Sequence, residues 1–450
     1  MDGSVKQRLF SGGLWAVSGQ VLRMLLGLIS SALVARLLPV AALGAYFLAI
    51  SIVDFLALVG QGGLQTAVVR VVAESVGLKN PARAKAAINL TLLGGSVSIA
   101  IVVTVFWLWG PRFSDMVFHS SLLAGVIGLI GLWAIIMTLQ QLVAESFRGL
   151  HDIRLAAVFG RLLPSSLVCA LFGIQWLVQG SSDLRRILIL WVAASGMSVL
   201  VGIGILLRKA GRLGGDSRHA LSMREMSGIA WPIAITTITL FAVAQGDLWI
   251  LAMFRSAKAV ASYGAALRIA SMIGAPLLVV NLVLPPMIAE IFAKGDRQTL
   301  EKVLRFTATL AAIPATLVVF AVVVERNEII RIIYGARYVD AGPVLAILSL
   351  GQLISVLAGS CGFTLTMTGH QTSMMIISAA SGVVTIGLAV VLARTGGAAG
   401  VAVAATVGMA LQNIAMVYAV KAKTGVWTYV GLPSASWIDA LKSHRGRADR

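Results

Sequence analysis

Charge is the scarcest commodity in this chain of 450 residues: 12% of its side chains are charged against 58% hydrophobic, and mean hydropathy is +0.92. No soluble domain of this length can cover its surface with so little charge, so a water-exposed globule is excluded. Two cysteines, Cys169 and Cys361, lie far apart inside apolar runs. They read as small buried hydrophobes rather than a disulfide or a metal site. Five histidines (His119, His151, His219, His370 and His444) sit at or near loop positions without metal-ligand spacing. A glycine-rich phosphate loop and a nucleophile elbow are both missing. The pattern offers no cofactor, no metal and no catalytic constellation, and the chain is not expected to be an enzyme. Ten-residue alternating strands are absent too, which excludes a membrane β-barrel. The first apolar run is too long for the core of a removable signal peptide.

What is present is apolar runs of membrane length. At ~20 residues per span, about twelve helices are expected near 13–35, 43–65, 88–109, 122–143, 155–178, 187–207, 228–252, 262–289, 305–325, 343–367, 371–393 and 398–420. The formal net charge of +18 could suggest nucleic acid, but the basic residues are scattered through short loops. Anionic lipid and the positive-inside rule account for them, and no nucleic acid partner is expected. Lys6, Arg8, Arg70, Lys79, Arg83, Lys85, Arg208, Lys209, Arg212, Arg297 and Lys421 all fall on one side when the N-terminus is cytoplasmic. Both termini are therefore expected in the cytoplasm.

Weak internal matches divide the chain. SGGLW at 11–15 corresponds to SGIAW at 227–231, Tyr46 to Tyr263, and Gly149 to Gly369, at nearly equal offsets. Six spans per half is even, so the halves enter from the same side and are related by a pseudo-twofold axis along the membrane normal. The expected fold is all-α and polytopic. It has an N-terminal six-helix lobe (1–210), a cytoplasmic linker (211–226), a C-terminal six-helix lobe (227–420) and a cytoplasmic tail (421–450). A central cleft would separate the lobes. Trp427, Tyr429 and Trp437 suit the headgroup region, which predicts a lipid-surface helix over 425–440.

The residues that matter most are the charges placed at membrane depth. A charged side chain there costs at least ~2.5–3.5 kcal/mol on insertion scales and faces a bundle interior or an aqueous cavity. Arg23, Arg161 and Arg268 are the basic residues inside spans, and Asp54 and Asp247 are the clearest acids. Gly19, Gln20, Arg23, Gly27, Ser30 and Ser31 share one face of the first helix. Arg23 and Asp54 both lie ~15 Å deep, so they can pair, as can Arg268 with Asp247. Two readings stay open. In one these are neutralised ion pairs that fix packing; in the other the arginines bind an anion in a transport path. Arg161 is also explained by snorkelling to the surface. Gln140, Gln141, Gln245, Asn281, Gln352, Gln412 and Asn413 fit interhelical hydrogen bonding. Pro276, Pro285 and Pro286 should interrupt the eighth span.

Four stretches carry a family resemblance: LVARLLPVAALGAYFLA (33–49), ESFRGLHDIRLAA (145–157), EIIRIIYGARYVDAGPVLAILSLGQLI (328–354) and TLTMTGHQTSMMII (364–377). In that order they resemble the polysaccharide repeat-unit flippases of the multidrug/oligosaccharidyl-lipid/polysaccharide (MOP) exporter superfamily. The resemblance covers nearly the whole chain. It implies a cavity lined by spans 1, 2, 7 and 8, and alternating access for an undecaprenyl-pyrophosphate-linked oligosaccharide. The glycan would cross from the cytoplasmic to the periplasmic leaflet of a bacterial inner membrane during surface polysaccharide synthesis. From their depth in the spans, and not from any family motif, Arg23, Gln20, Arg161 and Arg268 are the expected substrate-binding residues, with Asp54 and Asp247 as coupling or ion-pair residues. Anionic lipids and a polysaccharide polymerase or export complex are the expected further partners. A multidrug or cation extruder of the same fold is the alternative, and a glycan polymerase or ligase is the rival from another class.

Overall fold

The computed structural model describes residues 3–118, 120–214 and 221–431, and among these it is almost entirely helical, with no strand. The helices are α1 (Gly3–Leu37), α2 (Val40–Gln61), α3 (Leu64–Gly77), α4 (Pro81–Phe113), α5 (Ser121–Ala124), α6 (Ile127–Gly149), α7 (Ile153–Ala157), α8 (Leu163–Gln179) and α9 (Leu184–Gly211). They continue with α10 (Met223–Phe254), α11 (Ala257–Ile273), α12 (Ala275–Ala293), α13 (Arg297–Val324), α14 (Arg326–Tyr334), α15 (Gly342–Ala358), α16 (Cys361–Met367) and α17 (Gln371–Thr424). Among the described residues, ten helical stretches are long and apolar enough to cross a membrane. The last of them, α17, is two helices meeting at Gly397, whose φ of 56° and ψ of −137° suit only glycine.

Sequence chemistry sets the helix ends. Pro39 precedes α2 in extended conformation and Gly62 closes it at φ 52°, its N–H returning to Val59 O. Asp152, Asp183 and Asp296 cap α7, α9 and α13 by accepting the N–H three residues on. Ser222 does the same for α10 with Glu225 in the third position, the composition of a capping box.

By contact the chain forms two units, 1–264 with 333–337, and 265–332 with 338–450. In the first, α6 is the hub, packed against α2, α3, α4, α7 and α9. Its Leu142, Val143 and Phe147 meet Val68, Val72, Ala87, Phe159 and Leu206 in the core. Helix α10 packs on α2 and α3, so by packing residues 223–264 travel with the N-terminal helices, a division distinct from the expected sequence repeat. Backbones touch where α10 and the α2–α3 turn meet: a Cβ on Gly63 (φ 79°) would lie 2.0 Å from Ala230 O. Arg83 of α4 donates to Glu225 at 2.7 Å and ties down the first turn of α10.

In the second unit α15 lies between α13 and α17, and α16 and α12 complete the packing. The expected span 262–289 is instead two helices. The break falls at Gly274, and Pro276 opens α12 in its first turn, where a missing N–H costs nothing. Pro285 and Pro286 remain inside α12. Span 343–367 also breaks, at Gly359 with φ 72°.

The expected lipid-surface helix over 425–440 is not what the described part of that segment forms. Residues 425–431 run without helix along the second unit; Trp437 lies outside the described residues. Thr428 Oγ1 donates to Ala358 O at 2.9 Å and Val430 N to Leu357 O at 3.0 Å. Trp427 N donates to Glu301 at 3.1 Å, and Gly431 N to Thr309 Oγ1 at 3.3 Å. The carbonyls left open by the α15 break are what this strap satisfies, which a surface helix could not do.

Replacing Gly63 with alanine should destabilise the protein by about 1–3 kcal/mol, since the new Cβ overlaps a carbonyl in a left-handed turn. Gly204→Ala, inside α9 with nothing within 4 Å of its Cβ position, should not destabilise it and should add up to about 1 kcal/mol. Melting temperatures of the two purified variants in one detergent check this.

Candidate functional site

Helix α1 presents the polar face read from its spacing. Arg23 Nε donates to Gln20 Oε1 at 3.0 Å, and Nη2 donates to the same oxygen. Ser30 Oγ returns to Gly27 O, while Ser31 Oγ returns to Leu28 O and meets Tyr334 OH at 2.9 Å. Arg23 is half-buried, and among the described residues no carboxylate lies within ion-pairing distance of it. The expected Arg23–Asp54 pair does not form. Helices α1 and α2 share only a small contact, so equal depth does not bring the two side chains together.

The main neighbour of α1 is α8 with the turn before it. Asp152 opens this region: its Oδ1 accepts from Leu155 N at 3.1 Å and Lys209 Nζ donates to its Oδ2. Five residues, Val158–Leu162, then form a π-helical turn carrying Arg161. Leu162 Cδ1 lies 3.8 Å from where a Cβ on Gly19 would stand. Cys169 Sγ donates to Leu26 O at 3.3 Å. Between those two contacts, Arg161 lies within electrostatic range of Arg23. Two guanidiniums, in the first and fifth apolar spans of the sequence, thus come within range of each other's field. Arg161 is exposed, a position that also suits a snorkelling side chain.

The acids follow a different plan. Asp247 on α10 accepts from Tyr263 OH at 2.5 Å and from Leu248 N at 2.7 Å. Tyr263 is fully buried, so the carboxylate offered by sequence to Arg268 is already held by a phenol. Arg268 is exposed on α11 in the second unit. Asp54, half-buried on α2, stands beside Phe55 in a cluster of rings: Phe55 meets Trp249 at 5.4 Å and Phe241 at 5.7 Å. Trp249 Nε1 donates to Ser51 Oγ at 2.7 Å. Sequence reading missed Tyr263 and this cluster, although the pairing of Tyr263 with Tyr46 across the repeats had marked the position. It also missed Glu145, buried on α6 with Gln141 and Arg148 as partners.

Several amides expected to join helices do so. Gln140 Nε2 donates to Gly160 O, Ser360 Oγ to Asn281 Oδ1, and Gln412 Nε2 to Ser378 Oγ.

Outside the membrane spans, burial pushes the Asp152 carboxyl up, but the hydrogen bonds from Lys209 and Leu155 and the Lys209 and Arg154 charges outweigh it and hold it below the usual carboxylate range. A depressed folded pKa means that its stabilisation is full above the ordinary carboxylate range and is lost as pH falls through the lower folded value. Asp152→Ala should therefore lower stability near neutral pH by about 1 kcal/mol, through the lost cap. The gap between variant and parent melting temperatures should close in acid below that range.

Comparison with known proteins places this arrangement. The model of the family described as polysaccharide biosynthesis protein matches residues 9–292, and the MatE model matches 232–391. Among solved structures, a multidrug resistance MATE family transporter of the MOP superfamily in an inward-facing conformation superposes with a TM-score of 0.78. It is 14% identical, over 90% of this chain and 94% of that one. The lipid II flippase MurJ in an inward closed conformation gives 0.68 at 16% identity, over 91% and 87%. A MOP superfamily transporter from Pyrococcus furiosus Vc1 gives 0.62 at 15%, over 93% and 96%. At such identities the likeness establishes the fold. No curated protein matches the chain.

Proposed function

Because the chain belongs to the polysaccharide biosynthesis protein family, we propose that it is a flippase for an undecaprenyl-pyrophosphate-linked oligosaccharide. It carries the glycan from the cytoplasmic to the periplasmic leaflet of the bacterial inner membrane by alternating access. The working parts are the two six-helix lobes 1–210 and 227–420, with linker 211–226, the tail and both termini in the cytoplasm. Anionic lipids meet the basic loops, and a polysaccharide polymerase or export complex receives the product. The chemistry is transport without bond-making.

The observation that carries this reading is that α1 packs on the π turn and α8 through Gly19 with Leu162 and Leu26 with Cys169, which brings Arg161 within electrostatic range of Arg23, with no acid in ion-pairing distance of Arg23 among the described residues. A guanidinium has five N–H donors, and Gln20 engages two of them on Arg23 through one neutral oxygen. The remaining donors and the net charge suit a pyrophosphate, which arginine binds bidentately. Arg268 is the further candidate ligand. Asp54 and Asp247 are available for proton coupling, but energetics do not require it. Moving one charge through 100 mV is worth ~2.3 kcal/mol, so an outward-moving dianion gains about twice that from an inside-negative potential.

A second reading has its own support. The rings around Phe55 and Trp249, between the spans that carry Asp54 and Asp247, would suit an aromatic cation. They favour extrusion of cationic drugs on the same fold.

Reconstituted in proteoliposomes with undecaprenyl-pyrophosphate-linked oligosaccharide, the protein should expose the glycan to a membrane-impermeant glycosidase on the far leaflet. Arg23→Ala should slow this about 10- to 100-fold, the worth of a hydrogen-bonded charge, and Arg23→Lys less. An unchanged rate in Arg23→Ala would end the anion-site reading, and uptake of a cationic dye blocked by Asp54→Asn would establish the second.

A further inference from the structure

The stretch Ile153–Gln179 crosses as one helix, yet its register changes inside it. In the π turn the N–H of Leu163 reaches back five residues to Val158 O. Pro164 supplies the reason. In an α register the carbonyl of Gly160 would be bonded by the N–H of residue 164, and proline has none; its ring also crowds that carbonyl. Gly160 lies ~10 Å from the start of the helix at Ile153, and a carbonyl left open at membrane depth costs several kcal/mol. The partner comes from another helix. Gln140 Nε2 on α6 donates to Gly160 O at 2.5 Å, and Gln140 is only 7% exposed. The contact is close because residue 160 is glycine: a Cβ there would stand 3.2 Å from Ala144 Cβ, one turn along α6 from Gln140. Its neighbour Gln141 bonds within its own helix, to Glu145, so of the adjacent glutamines only Gln140 crosses to the turn.

Each residue of an α-helix advances the side-chain direction by about 100°, and a π turn adds one residue to the register. Arg161 sits within that turn, so its direction depends on whether the turn is kept. We propose that Gln140 is a positioning residue for the anion site. By holding Gly160 O, which the Pro164 ring turns away from its own helix, it maintains the π turn that places Arg161 within range of Arg23. The proposal rests on the reading that these two arginines receive the pyrophosphate of the lipid carrier.

The test is equilibrium binding of undecaprenyl pyrophosphate and undecaprenyl monophosphate to the purified full chain in nanodiscs, with melting temperatures alongside. Gln140→Leu should weaken pyrophosphate binding about tenfold, as loss of one guanidinium contact would, and monophosphate binding less. In an Arg161→Ala background the same change should add under about twofold, the sign of a shared pathway in a double-mutant cycle. Pro164→Ala restores the missing N–H and lets the turn relax to an α register. It should weaken pyrophosphate binding by a like factor without lowering the melting temperature, an effect that a purely structural role for Gln140 does not produce. Equal losses from Gln140→Leu with and without Arg161, or unchanged binding in both Gln140→Leu and Pro164→Ala, would overturn the positioning role. If Arg23→Ala and Arg161→Ala themselves leave pyrophosphate binding unchanged, the parent reading fails instead.

Discussion

A peptide carbonyl or N–H at bilayer depth has no water to turn to, and leaving it open costs several kcal/mol. Helices solve this along their length but not at their breaks, and this chain has several breaks. Two of them are met by a donor from elsewhere in the same unit. Gly160 O, opened by Pro164, takes Gln140 from α6. Ala358 O and Leu357 O, opened by the turn at Gly359, take Thr428 and Val430 from the strap that follows α17. The irregular backbone therefore dictates where polar side chains and the strap must lie, and the site inherits its geometry from that demand.

The same rule governs charge, with an instructive difference. Acid and base could have neutralised each other at matched depth, but Arg23 and Asp247 are instead held by neutral groups. Asp247 is held by neutral Tyr263 and by backbone N–H, and Arg23 by neutral Gln20. A neutral partner satisfies donors or acceptors while leaving the charge in place, whereas an ion pair cancels it at a desolvation cost seldom repaid in stability. Positive charge is concentrated on α1 and the π turn; the acids belong to α2 and α10, beside aromatic rings.

This separation was only half legible in the sequence. Apolar runs gave the spans, because hydrophobic length is a one-dimensional property, and the three- and four-residue spacing gave the polar face of α1. Partners depend on azimuth as well as depth, and no single helix records which neighbour it faces. Arg23 and Asp54 matched in depth, yet α1 packs on α8 and hardly on α2. Span 8 breaks at Gly274 rather than at Pro285 and Pro286, since two prolines within a helix can be accommodated by a bend, whereas Pro276 marks a true start. Trp427 and Tyr429 suggested an interface helix through their aromatic rings. The strap's real determinants, Thr428 and the glycines at 359 and 431, become meaningful only once α13 and α15 are side by side. The clue to the π turn was available: a proline four residues after a glycine, within an apolar span.

How α1 is attached bears on how an anion site could move. Its contacts run to the π turn and α8 at three levels, Gly19 with Leu162, Arg23 in range of Arg161, and Leu26 with Cys169. The α7–α8 segment is in turn fixed to the rest of its unit by Gln140 on α6 and by the Lys209–Asp152 pair from α9. Arginines on helices that shift independently would change their separation with every rearrangement, and a diphosphate's two phosphoryl groups are at a fixed spacing. Placing both guanidiniums on elements bonded to each other removes that dependence. Arg23 and Arg161 thus stand on one set of packed elements, while the acids on α2 and α10 belong to a different part of the unit.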